Sequence, residues 1–185
     1  MIGRSGVNAV LNLSGLSFFM KPAIPFDPGV LISYRHLSDT QDTLEQLYGL
    51  RGGRGLALKT GRAFFTFALR QYGRELGLLD QAFLLLPPAV KIQAGLQRLA
   101  CFFNETGDSA IHLEEDPRQF QWTVENCPLC WRRRSHVPIC HMQVGLLQEY
   151  CSWASSGKNY NIVETECRAA GAKACIFTID KTALD

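Results

Sequence analysis

At 185 residues, 46% of them hydrophobic, the chain is long enough for one domain whose core buries roughly 70% of the unfolded surface. Nineteen Lys and Arg against seventeen Asp and Glu leave a net charge of +2, too balanced to point to nucleic acid or an anionic membrane surface as partner. No apolar run approaches the roughly 20 residues of a membrane span, and Asn8, Asn12, Ser14 and Ser17 interrupt any secretory signal within the first twenty residues. The expectation is a cytoplasmic chain, one domain over 1–185, with its seven cysteines reduced.

The first half reads as helical. Ser38 and Gln41 stand at capping-box spacing ahead of Leu44, Leu47 and Tyr48, which predicts a short helix ending near Gly49. The run Arg51-Gly52-Gly53-Arg54-Gly55 matches no phosphate-loop spacing and reads as a flexible connector. From Leu56 to Tyr72, Lys59, Arg62, Thr66 and Arg70 recur at helical spacing among Phe64, Phe65, Phe67 and Leu69, predicting a mostly buried helix. After Pro87 and Pro88, Ile92, Leu96, Leu99 and Phe103 mark a third helix running to about Asn104.

The period then changes to two. Ile111 and Leu113, then Phe120, Trp122 and Val124, alternate with polar residues on either side of an Asp116-Pro117 turn, which predicts a hairpin with one apolar face. Cys140, Val144, Leu147 and Cys151 return to helical spacing, and 160–166 and 174–180 read as strands joined at Gly171. The fold class is α+β: a helical N-terminal half packed on a four-stranded antiparallel sheet.

Five of the seven cysteines lie between Cys127 and Cys167, and Cys175 follows closely. Cys140 at a helix start, with a carboxylate of the segment Glu164-Thr165-Glu166-Cys167 and the thiolates of Cys167 and Cys175 at facing strand ends, forms a four-ligand set suited to tetrahedral zinc rather than to magnesium or calcium. The alternative is that Cys140 and Cys175 are small core residues on apolar faces. Cys127-Pro128-Leu129-Cys130 fits half a zinc site, a redox pair or structural thiols, and His136, Cys140 and His141 are neighbours that would complete a second metal site. No catalytic residue is identified, and no nucleotide motif is present.

These residues carry a resemblance. Asn126-Cys127-Pro128-x-Cys130, Pro138-x-Cys140 with Gly145 five positions on, and Val163-Glu164-x-x-Cys167-x-x-x-Gly171-x-x-x-Cys175-x-Phe177-x-Ile179 resemble the 4-vinyl reductase domain family. Gly6-Val7-Asn8-Ala9-Val10-Leu11 and the landmarks Gly49, Gly55, Gly61-Arg62 and Tyr72-Gly73 resemble its amino-terminal half. The resemblance implies a fold shared with TRAPP vesicle-tethering subunits and with the sensor domains of phenol-responsive transcription activators. It also implies zinc held by Cys140, Glu164, Cys167 and Cys175. The interval from Cys140 to Glu164 is about one residue longer than in those sensors, so Glu166 competes with Glu164. Strand alternation would set both glutamates opposite Cys167, a conflict that a bulge after Glu166 resolves.

The functional expectation is a zinc-stapled binding or sensor module for a small hydrophobic molecule, a homodimer through its amino-terminal helices. Its ligand pocket is expected at Phe64, Phe67, Phe103, Phe120 and Trp122, between two helices and the hairpin. The alternatives are an enzyme or assembly factor in tetrapyrrole vinyl reduction, needing an external electron donor, and an interaction scaffold like the tethering subunits.

Overall fold

The computed structural model describes residues 2–20 and 32–184. Among the described residues, five α-helices precede or interrupt four strands: α1 (Gly3–Leu13), α2 (Tyr34–Tyr72), α3 (Gln81–Leu84), α4 (Pro88–Thr106), β1 (Ile111–Glu115), β2 (Gln119–Val124), α5 (His141–Ala154), β3 (Tyr160–Glu166) and β4 (Cys175–Ala183). The strands form one antiparallel sheet in the order β1-β2-β4-β3. The expected α+β class, with helices on an antiparallel sheet, is what the chain adopts. Phe120, Trp122 and Val124 of β2, and Cys175, Phe177 and Ile179 of β4, all point into the core, as their alternation requires.

Two local expectations are corrected in α2. The helix starts at the Ser33 N-cap, whose Oγ accepts from the His36 N–H, and not at Ser38. Ser38 and Gln41 lie inside the helix and are buried. The Ser38 hydroxyl donates to the Trp131 carbonyl, and the Gln41 amide donates to the Ile139 carbonyl while accepting from the Met142 N–H. They resemble a capping box only because both jobs use short polar side chains. The second correction is the glycine-rich connector, which is helical. The break comes earlier, at Gly49, whose φ of 71° and ψ of 167° interrupt the helix in a conformation that favours glycine.

The core-facing side of α2 beyond that break is Gly53, Ala57, Gly61 and Phe65, one residue per turn. Phe64 and Phe67 stand about half exposed, so the helix is buried along a stripe and not mostly buried. The stripe is small because α5 lies directly on it. A Cβ at Gly61 would collide with the Met142 carbonyl, and a Cβ at Gly145 with the Leu58 carbonyl. Two glycines thus let two helix backbones meet, and that contact sets where α5, and Cys140 at its start, can sit.

Candidate metal centre and apolar pocket

Cys140 is the N-cap of α5, entirely buried, and its N–H donates to Glu164 Oε2 at 2.6 Å. Glu164 is on β3 opposite Phe177 of β4, and burial pushes its carboxyl up to about 8, reinforced by the neighbouring Cys167 and opposed by the Cys140 N–H. Its other oxygen, Oε1, is buried without a hydrogen-bond partner. Glu166 is exposed. The register of β3 against β4 shifts between Glu164 and Glu166, so the irregularity comes before Glu166 and lets Cys167 turn inward to the same side as Glu164. Cys167 then leads a short 3-10 turn, Arg168–Ala170, closed by Gly171 at φ 97°, and the chain returns as β4 with Cys175 at its start.

Three sulfurs form a near-equilateral triangle: Cys140 to Cys175 is 3.8 Å, and Cys167 is 3.9 Å from each. A tetrahedral ion with metal–sulfur bonds of about 2.3 Å requires sulfur separations of about 3.8 Å. Cys140, Glu164, Cys167 and Cys175 all place a donor atom within 4.8 Å of one another, so this buried cluster can hold a metal ion. The unpartnered Glu164 Oε1 fits the same role. The Arg168 N–H donates to the Cys175 sulfur at 3.4 Å, an outer contact of the kind that orients ligand thiolates.

Cys127 and Cys130 join this cluster. Residues Pro128–Cys130 form a 3-10 turn packed against α2, which brings Cys127 Sγ to 3.5 Å from Cys140 Sγ and Cys130 Sγ to 3.5 Å from Cys175 Sγ. Both are buried. Hydrogen bonds among the thiols, led by that from Cys127, draw the Cys130 thiol well below its usual range, while the same neighbours hold the Cys140 and Cys175 thiols above theirs. His141 points elsewhere into a cleft with Arg54 and Arg133, and burial, aided by those two cations, pushes it down to about 4. Neither His136 nor His141 is part of the metal-binding groups among the described residues. Cys151 is buried in α5, pushed up to about 12 by desolvation, and Cys101 is exposed on α4.

Several contacts hold the loop that carries these ligands. Gln41 grips Ile139 and Met142 on either side of Cys140. Arg133 pairs with Asp42 at 2.9 Å and Glu45 at 2.6 Å, and the Ser135 N–H donates to the Ala169 carbonyl at 2.8 Å. Sequence spacing offered no sign of this support from α2, because its partners are 88 to 101 residues apart.

An apolar pocket of about 270 Å³ adjoins the cluster, with Gly61 and Phe64 of α2, Phe103 of α4, Leu146 of α5, and Pro128 and Leu129 among its walls. The two residues between Cys127 and Cys130 therefore separate thiols from pocket. Of the expected pocket residues, Phe64 and Phe103 line this space. Phe120 lines a different cleft near Lys181, Phe67 is half exposed, and Trp122 is completely buried with its Nε1 lacking a hydrogen-bond partner. The pocket lies between helices and the cysteine turn instead of between helices and β2.

The V4R domain model matches residues 120–181. A comparison with curated proteins finds no match. Among solved structures, the phenol-responsive sensory domain of the transcription activator PoxR, with phenol, aligns over 94% of this chain and 89% of its own at 16% identity and a TM-score of 0.60. An H-NOX protein from S. oneidensis in the Fe(II)NO ligation state aligns over 100% of this chain and 93% of its own, at 13% identity and a TM-score of 0.63. A vinyl-4-reductase family protein from Methanocaldococcus jannaschii covers 66% of this chain and 80% of its own, at 17% identity and a TM-score of 0.39. The first two establish a shared fold. All five clustered cysteines and Glu164 fall within residues 120–181, the segment that the V4R domain model matches.

Proposed function

We propose that the chain is a metal-stapled sensing module for a small apolar molecule, a single domain over 1–185. The observation that carries this reading is the apolar pocket walled by the Cys127–Cys130 turn. Its volume of about 270 Å³ lies just below the roughly 300–1,000 Å³ of drug-sized sites, so it suits a neutral molecule of one or two rings. The phenol-responsive domain of PoxR has the same fold, which supports a ligand of that size class. No helix among the described residues is long and apolar enough to cross a membrane.

The metal in this reading is one zinc ion per chain. Cys140, Glu164, Cys167 and Cys175 are one four-donor set at the centre, and zinc suits their mixture of soft thiolates and one carboxylate. Its role is structural: it ties the start of α5 to the ends of β3 and β4, reinforcing the hydrogen bond from the Cys140 N–H to Glu164.

Small aromatic compounds added to the purified protein raise its melting temperature, since a ligand that binds only the folded state stabilises it. Leu146→Trp fills the pocket and abolishes that shift. If no apolar compound alters stability in the unmodified protein, the sensing reading fails. Elemental analysis that finds no transition metal removes the staple.

A further inference from the structure

The cluster holds more thiols than one tetrahedral ion can use. Cys127, Cys130, Cys140 and Cys175 form a second group whose donor atoms all lie within 4.8 Å of one another. Three of its edges are 3.5, 3.5 and 3.8 Å, close to the about 3.8 Å edge of a tetrahedral four-sulfur zinc site. The C-x-x-C spacing on a tight turn is the usual bidentate half of such a site. An iron–sulfur cluster would set its cysteine sulfurs farther apart than these, because inorganic sulfides and several irons stand between them.

The two groups share the edge Cys140–Cys175, with Glu164 and Cys167 completing one and Cys127 and Cys130 the other. Two regular tetrahedra on one edge, each with bonds of about 2.3 Å, have centres only about 2.7 Å apart. A thiolate-bridged pair of ions needs a wider separation, and hence a shorter shared edge, than the 3.8 Å between Cys140 and Cys175 allows, so the groups compete for one ion. A cleft outside Cys127 and Cys130 is lined by Arg132, Arg133 and Arg168, whose cations offset the excess negative charge of four thiolates.

We propose that Cys127 and Cys130 form, with Cys140 and Cys175, a second all-thiolate site for a soft divalent cation, overlapping the Glu164–Cys167 set and sharing its single ion. The proposal rests on the metal staple and adds to it an exchange of two ligands about a fixed pair. Pro128 and Leu129 move with the exchanging pair, which places that motion at the wall of the apolar pocket.

Cobalt(II) titration of metal-free protein, followed by absorption spectroscopy and X-ray absorption counting of sulfur ligands, tests it. The unmodified chain takes up one cobalt. The double variant Glu164→Gln with Cys167→Ser still takes up one, tetrahedral, with four sulfurs. Cys127→Ser with Cys130→Ser takes up one with three sulfurs and one oxygen. The single change Cys130→Ser, the mildest to the fold, shifts the sulfur-to-cobalt charge-transfer band. The proposal is overturned if the folded Glu164→Gln, Cys167→Ser protein binds no cobalt, if the unmodified chain binds two ions, or if Cys130→Ser leaves the spectrum unchanged. An unmodified chain that binds none defeats the staple itself, an outcome separate from these.

Discussion

Gln41 shows how a single buried side chain prepares the metal centre. It is wholly enclosed, with its amide spent on the Ile139 carbonyl and the Met142 N–H, so it fixes the backbone on both sides of Cys140 before any ion arrives. Gln41→Leu keeps the volume but strands those two backbone groups, each at about 1–3 kcal/mol. We expect a lower melting temperature and weaker cobalt binding together, whereas Gln46→Leu, on the exposed side, changes neither. Gly61 gives a second case. Gly61→Ala drives a methyl group into the Met142 carbonyl and costs about 1–3 kcal/mol by overpacking. Gly55→Ala, six residues earlier with nothing within 4 Å of the added carbon, is neutral or slightly stabilising in calorimetry.

Between elements, an ion held by Cys140, Glu164, Cys167 and Cys175 would link α5, β3 and β4, so its removal should loosen all three at once. With free metal at a thousand times the dissociation constant, binding contributes about 4 kcal/mol to the folded state. For a chain of this length that is about 10 °C of melting temperature, lost on chelation and recovered on adding zinc. Cys167→Ser should reproduce most of the loss, and Cys101→Ser, exposed on α4, none of it. The turn between Cys127 and Cys130 faces thiols on one side and the pocket on the other. A small aromatic compound bound in the pocket should therefore perturb the cobalt charge-transfer spectrum; an unchanged spectrum under saturating ligand would separate pocket from metal.

Across the whole molecule, the described amino-terminal helices keep large apolar side chains at the surface. Leu13, Phe18, Leu47, Leu50, Phe64 and Phe67, on or beside the amino-terminal helices, stay between 42% and 78% exposed. That apolar surface motivates the expectation of a homodimer through these helices, joined about a twofold axis. Light scattering at micromolar concentration should give twice the mass of one chain, and Leu50→Glu, at the most exposed of these positions, should halve it. A monomer in the unmodified protein would reject the dimer.

The strands were legible in the sequence because alternation is a local property: Phe120, Trp122 and Val124 must share a face whatever else folds around them. The cysteine spacing around Glu164 and Cys167 likewise put a four-donor set within reach, because a strand end and a tight turn confine where those side chains can go. Helix α2 was harder, since its contact face is built from Gly53, Ala57 and Gly61, and a search for large apolar residues lands instead on Phe64 and Phe67, which are half exposed. Ser38 and Gln41 carried a capping signal that the distant 131–142 segment reassigns to long-range hydrogen bonds. Only the tertiary structure decided that Cys127 and Cys130 join the metal cluster, that Glu164 rather than Glu166 turns inward, and that the pocket lies behind the cysteine turn. Each depends on how closely α5 approaches α2 and on one register shift in the sheet, distances between segments that no local periodicity encodes.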